Sequence, residues 1–278
     1  MVKIVTDSLS DISPEWAKEL GISVVPLNVH FDKEVFKDTV ELPPEEFYQK
    51  LVSSNIYPTT SAPAPGIFTE LFTNLAKESN EIIAIMASDK ISAVYESAVQ
   101  GAALVKADCR IEVINTRWLV GAQAILVILA VEAAKKGANL DQITEMIRKA
   151  MPRLRALMIF DTLEYLKRGG RIGKAQAFLG SLLKLHPVIT LKDGEVHPYE
   201  RARSRSQAKD ILVNFARKFP GVEKIVVEHA TTPDEMEEMV GRLSEIVPKN
   251  NIYRSRVGSV IGAHTGPHVL TVCLLADQ

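Results

Sequence analysis

Short β-branched runs separated by stretches of helical spacing constrain this chain more than any other feature. Residues 3–6, 82–86 and 111–115 read as strands, and each is followed by a segment with apolar residues at helical intervals. Consecutive parallel strands need a crossover that covers the sheet, so the alternation predicts a mostly parallel sheet with helices on both faces. Helical spacing is found over residues 14–20, 44–52, 66–77, 92–107 and 117–136, and Ser13 before Pro14 has the form of an N-cap. Residues 24–40 read instead as an extended ribbon.

After a helical segment at 140–150 the pattern changes. Residues 155–160 read as a strand and 163–168 as a short helix. Residues 188–191 and 196–198 flank Asp193-Gly194, a strong hairpin signal. A helix over 206–219, a strand over 225–229 and a helix opened by Thr232-Pro233 follow, with Thr232 and Glu235 spaced as a capping box. Two further strand-like runs lie near Asn251 and Val269. Hairpins mixed with helices predict an α+β unit, and Met151-Pro152 marks the expected boundary between an α/β domain (1–151) and an α+β domain (152–278). A length of 278 residues suits two modest domains, and 46% apolar content suffices for their cores.

Charge and cysteine usage exclude several classes of function. Lys+Arg 33 against Asp+Glu 34 gives a net charge of -1, which supplies no general attraction to nucleic acid. Cys109 and Cys273 have no partner at metal or redox spacing, so both are expected as buried apolar residues in a reducing compartment. The chain opens on a strand rather than a signal peptide, and the apolar run 119–134 is too short to span a bilayer. A cytoplasmic protein without membrane insertion is expected, with that run as a core helix.

Candidate chemistry lies in three hydroxyl-rich loops: Thr6-Asp7-Ser8, Thr59-Thr60-Ser61 and Ser88-Asp89-Lys90-Ile91-Ser92. Loops at strand ends are where an open α/β sheet takes its ligand, because helix N-termini converge there. The segment 165–174 gathers Lys167, Arg168, Arg171 and Lys174 around Gly169-Gly170 but lacks the residue order of a phosphate loop. Capping of a helix C-terminus accounts for Gly169. His264 stands between Gly262 and Gly266; a metal pair with His268 is disfavoured because Gly266-Pro267 would break the helix such spacing needs. The run Arg201, Arg203 and Arg205 fits either a solvated face or a phosphate contact. A serine hydrolase built on Ser92, His264 and Asp7 or Asp89 is the enzymatic alternative, although no G-x-S-x-G elbow is present. A sensor of phosphorylated metabolites using the Arg171 loop is a third reading.

Four segments occur together in a recognisable order: Thr60-Ser61-Ala62-Pro63, the run from Ile91 to Ala98, Leu166-Lys167-Arg168-Gly169-Gly170-Arg171-Ile172, and Gly262-Ala263-His264-Thr265-Gly266-Pro267. With Thr6-Asp7-Ser8 they span nearly the whole chain, which resembles the DegV family of fatty-acid-binding proteins, among them the acyl-carrying subunit of bacterial fatty acid kinase. The resemblance implies two α/β domains with a long-chain fatty acid between them. It places the carboxylate on Thr60 and Ser92, with Ser61 adjacent and His264 and Arg171 near the headgroup. It implies no catalytic residue, metal or cofactor, and a separate ATP-using kinase subunit as partner. The sequence departs from the family at Ala93-Val94, where Gly-Thr is common, and at His268, where Gly is common; both bear on the shape of the mouth and tail channel.

Overall fold

The computed structural model describes residues 1–181 and 185–277. The first half runs β1 (Lys3–Asp7), α1 (Pro14–Leu20), β2 (Ser23–Val25), β3 (Asn28–Phe31), β4 (Glu34–Lys37), α2 (Pro44–Ser53), β5 (Thr59–Ser61), α3 (Pro65–Leu75), β6 (Glu81–Met86), α4 (Val94–Ala103), β7 (Arg110–Asn115), α5 (Val120–Lys135) and α6 (Leu140–Ala150). The second half runs β8 (Leu154–Ile159), α7 (Glu164–Arg168), β9 (His186–Lys192), β10 (Glu195–Ala202), α8 (Arg205–Arg217), β11 (Lys224–His229), α9 (Pro233–Leu243), β12 (Ile252–Arg256), α10 (Ser259–Thr265) and β13 (Leu270–Leu275).

The expected parallel sheet forms with the order β2-β1-β6-β7, all neighbours parallel. Its β6 is almost wholly buried, as a strand covered on both faces requires. The ribbon at 24–40 resolves into β2 and the hairpin β3-β4, and β5 joins β3 to make a separate antiparallel sheet. The second half builds a mixed six-stranded sheet, β10-β9-β8-β13-β11-β12, in which only β11 and β12 run parallel. The Asp193-Gly194 signal is borne out: both residues take positive φ, 52° and 84°, as a tight turn between antiparallel strands demands.

Alternation along β8 and β9 assigns the two faces of the second sheet. Leu157, Ile159 and Val188 pack with α8 and α9 in one core, whereas Met158, Ile189 and Leu191 join the core shared with the first half. Helix α5 lies between the sheets and is buried around nearly its whole circumference, which is why its apolar residues show no single stripe. A glycine is required at its first turn, since a Cβ on Gly121 would sit 2.7 Å from Val226 Cβ. At 16 residues α5 is the expected core helix, and among the described residues no helix is long and apolar enough to cross a membrane.

Several expectations need correction. The segment 258–266 contains a helix, α10, that glycine-rich spacing concealed. Thr232 makes no side-chain cap on α9; its intended partner Glu235 is held by Arg205 through 2.7 Å and 3.1 Å contacts. Helix α4 begins at Val94 rather than at Ser92. Cys273 is buried, but Cys109 is only half-buried.

Buried carboxylates join the halves. Asp38 accepts from the backbone N–H groups of Ser259 (2.8 Å) and Val260 (3.3 Å), and Asp11 accepts from Gly258 (2.9 Å). These are the orphan donors at the start of α10, so acids from the first half cap a helix of the second. Burial pushes the Asp38 carboxyl up to about 6, against the hydrogen bonds it accepts. Burial also raises Asp11 well above the carboxylate range, helped by the charge of Glu228, and burial pushes Glu228 up to about 8. Each folded value lies above the unfolded one, so the folded state retains protons that the unfolded chain has lost. Stability from these groups is therefore present in acid and falls as pH rises through about 8. Glu228→Gln, which mimics the protonated acid, is expected to flatten the decline of Tm between about pH 5 and pH 8. Thermal melts of both proteins check this, and parallel curves would contradict it.

Candidate functional site

Between the inner face of the second sheet, α10 and the loops of the first half lies a cavity of about 280 Å³, close to the lower bound of about 300 Å³ typical of small-molecule sites. Met158, Phe160, Ile189, Leu191, Val196 and Leu119 give it a predominantly apolar wall. Much of this wall comes from alternate residues of β8, β9 and β10. The polar side chains are gathered in Thr60, Ser92, Arg171 and His264, with Thr265 already donating to the Ile261 carbonyl at 3.0 Å.

Each polar residue arrives by a separate local device. Thr60 lies in the middle of β5 opposite Val29, whose complete burial fixes that face of the strand as the inner one. Its Oγ1 is 2.8 Å from Nε2 of His264, which α10 carries. Ser92 closes a turn after β6 in which its Oγ accepts from the Val94 N–H at 3.2 Å, so the hydroxyl proton remains free at the start of α4. Arg171 is turned inward: Nε donates to the Ile91 carbonyl at 3.3 Å and one terminal nitrogen to the Gly169 carbonyl at 2.7 Å. It thereby bridges from the second half to the loop that carries Ser92.

Ser61 borders the cavity, but strand alternation sends its hydroxyl to the other face of β5, where it contacts His30 Nε2 at 2.9 Å and Asn28 Nδ2 at 3.3 Å. Its hydroxyl is thus engaged with His30 and Asn28 rather than with Thr60. The cationic cluster divides in a similar way. Arg171 faces the cavity, whereas exposed Arg168 pairs with Glu164 at 2.6 Å and lies 3.9 Å above the Tyr57 ring.

His264 is neutral. Burial, reinforced by the nearby Arg171 guanidinium, lowers its pKa to about 4. Its Nδ1 is buried without a hydrogen-bond partner and rests against Gly169, where a Cβ would stand 2.0 Å away. Helix capping alone therefore does not explain Gly169. Its φ of -73° suits any residue, and the left-handed position belongs to Gly170 at 70°. Two adjacent glycines where one would end the helix were the available signal.

The Ser-His-Asp arrangement is not assembled. His264 engages Thr60 rather than Ser92, Asp7 is occupied by Gln123 and the Leu9 and Ala87 N–H groups, and Asp89 is ion-paired with Arg117 at 3.2 Å. Among the described residues, no group of three or more His, Cys, Asp and Glu could hold a metal ion.

A predominantly apolar cavity with one cluster of hydroxyl, imidazole and guanidinium groups, set between two sheets, defines a binding protein for an amphiphilic small molecule. A family model described as an uncharacterised protein of the DegV family matches residues 1–277, and the chain belongs to the DegV family. Among solved structures it is similar to a DegV family protein from Thermus thermophilus described for fatty acid binding, with 31% identity, TM-score 0.91 and 99% of each chain covered. It is also similar to DegV of Bacillus subtilis, described as a fatty acid binding protein, at 31% identity and TM-score 0.88 over 99% of each chain. A stearic acid-binding protein from Eubacterium ventriosum superimposes with TM-score 0.89 at 26% identity, covering 99% of this chain and 98% of its own.

Gly169→Ala is expected to drive the imidazole off Thr60 while leaving both sheets folded. Imidazole 15N NMR should show the His264 pKa moving up from about 4 toward its ordinary value. An unshifted titration in a folded variant would refute the packing role of Gly169.

Proposed function

We propose that this protein binds a long-chain fatty acid, with its carboxylate at Thr60, Ser92 and Arg171 and its tail along the inner face of β8, β9 and β10. The single observation that carries the reading is the cavity with predominantly apolar walls and one polar cluster. The fatty acid binding described for the similar Thermus thermophilus, Bacillus subtilis and Eubacterium ventriosum proteins supports it.

The chemistry at the polar cluster suits a carboxylate. In the tautomer of neutral His264 that carries its proton on Nε2, the imidazole donates to Thr60, which leaves the Thr60 hydroxyl proton for the ligand. Ser92 donates its own free proton. The start of α4 and the Arg171 guanidinium add positive potential. A desolvated carboxylate needs these partners. The tail supplies most of the affinity, about 0.8 kcal/mol per buried methylene and on the order of 10 kcal/mol for a long chain before ordering costs. The hydroxyls set the orientation.

Nothing in this arrangement activates Ser92 as a nucleophile, so the proposed protein carries the acid without transforming it. Work on the carboxyl group falls to a separate ATP-using kinase subunit, and exposed Arg168 with Lys167 and Lys174 offers a cationic face beside the ligand end. A domain division at Met151-Pro152 is part of this proposal, in the turn Met151–Arg153 that leads into β8, and a cytoplasmic setting fits a carrier that hands its ligand to an ATP-dependent partner.

Loss of one hydrogen bond to a charged group costs about 1.5–3 kcal/mol, so Ser92→Ala and Thr60→Val should each weaken stearate binding by about tenfold or more. A fatty alcohol of equal length should distinguish parent from variants poorly. Calorimetric titration measures both. Unchanged stearate affinity in both folded variants would move the headgroup elsewhere. Sustained ester hydrolysis lost in Ser92→Ala would replace the carrier reading with an enzyme.

A further inference from the structure

The second sheet contains one parallel pair, β11 and β12, joined by α9, and the carboxyl ends of such a pair are the usual ligand position of an α/β unit. In this protein they open into a groove of about 590 Å³ that is separate from the apolar cavity and shares no residue with it. His229 ends β11, Arg256 ends β12, and His268 and Gln49 stand across from them. Helix α9, 11 residues long, points its N-terminus here from Pro233, and the preceding Thr232 provides no side-chain cap. Pro233 has no N–H, so the first-turn donors left without a side-chain cap from Thr232 are the N–H groups of Asp234 and Glu235.

His229 is the observation that points to a ligand. The residue is 8% exposed, lines the groove, and its buried Nδ1 has no hydrogen-bond partner among the described residues. Its Nδ1 is buried without a partner, and in the tautomer with the proton on Nε2 the ring has an N–H donor free for a ligand in the groove. Burial and the Arg256 charge hold the imidazole neutral. Arg256 spends Nε on the Ala230 carbonyl at 3.1 Å, and one terminal nitrogen contacts Glu45 at 2.5 Å. The Glu45 side chain is 68% exposed and can swing into water when a stronger anion takes its place. Thr231 is already committed, donating to the Pro267 carbonyl at 2.6 Å.

We propose that this groove is a second binding site, for the phosphate group of a small phosphomonoester, held by Arg256, the His229 Nε2–H and the first turn of α9, with Glu45 as a displaceable stand-in for the ligand. A guanidinium, a neutral N–H donor and a helix N-terminus together match the several acceptor oxygens of a phosphate better than the two of a carboxylate.

Calorimetric titration with inorganic phosphate and, separately, glycerol 3-phosphate tests the assignment on the intact protein. Glu45→Gln frees Arg256 and should tighten both by at least about threefold, a gain that loss of a structural contact would not produce. His229→Asn should weaken both by about tenfold, and Arg256→Gln by more. Tighter binding of the ester would identify a phosphorylated metabolite as the ligand, and equal binding free phosphate. Absence of saturable binding at millimolar phosphate in the parent and in Glu45→Gln would overturn the proposal. Binding that Glu45→Gln and His229→Asn both leave unchanged would do the same.

Discussion

The structure depends on a small number of buried polar contacts that cross from one half of the chain to the other at α10. Asp38 and Asp11, from the loops around the first sheet, cap this helix; Tyr48 donates to the Val257 carbonyl at 3.1 Å just before it; and Thr60 meets its His264. A helix of 7 residues has too few internal hydrogen bonds to persist alone, so its position is set by these partners. Because α10 also walls the apolar cavity, the contacts that hold the halves together define the ligand end of the site. Ionising these acids in a dry interior is costly, which makes the assembly sensitive to rising pH.

Glycine has a specific use in this scheme. At Gly169 it lets the imidazole lie against the chain, and at Gly121 it lets α5 approach the second sheet. In both places the backbone conformation is ordinary and close approach is the requirement. The two halves thus meet through small residues and buried acids, while bulky apolar side chains along β8, β9 and β10 leave space between them.

Much of this was legible in the sequence. Alternating β-branched and helical segments gave the parallel sheet, Asp193-Gly194 gave the hairpin, and the even apolarity of residues 119–134 gave the central helix. Thr60, Ser92, Arg171 and His264 were picked out by motif, and the fold brings them to one cavity. What the sequence hid was long-range or too short to have a period. The α10 segment is rich in glycine, and its caps lie more than two hundred residues away in the chain. Thr60 and Ser61 look equivalent as adjacent hydroxyls until strand alternation sends their side chains to different partners. Thr232 and Glu235 have capping-box spacing, but Arg205 holds the glutamate.

The central claim is that a carboxylate sits ionised among Thr60, Ser92 and Arg171 at the end of an otherwise apolar cavity. Carbon-13 NMR of carboxyl-labelled stearic acid bound to the protein tests it most directly. The account predicts one bound carboxyl resonance that stays ionised below the ordinary carboxylic pKa of about 4 and moves in Ser92→Ala, because hydrogen bonds and a nearby cation favour the charged form. A resonance that titrates like the free acid and is unaffected by Ser92→Ala would contradict it.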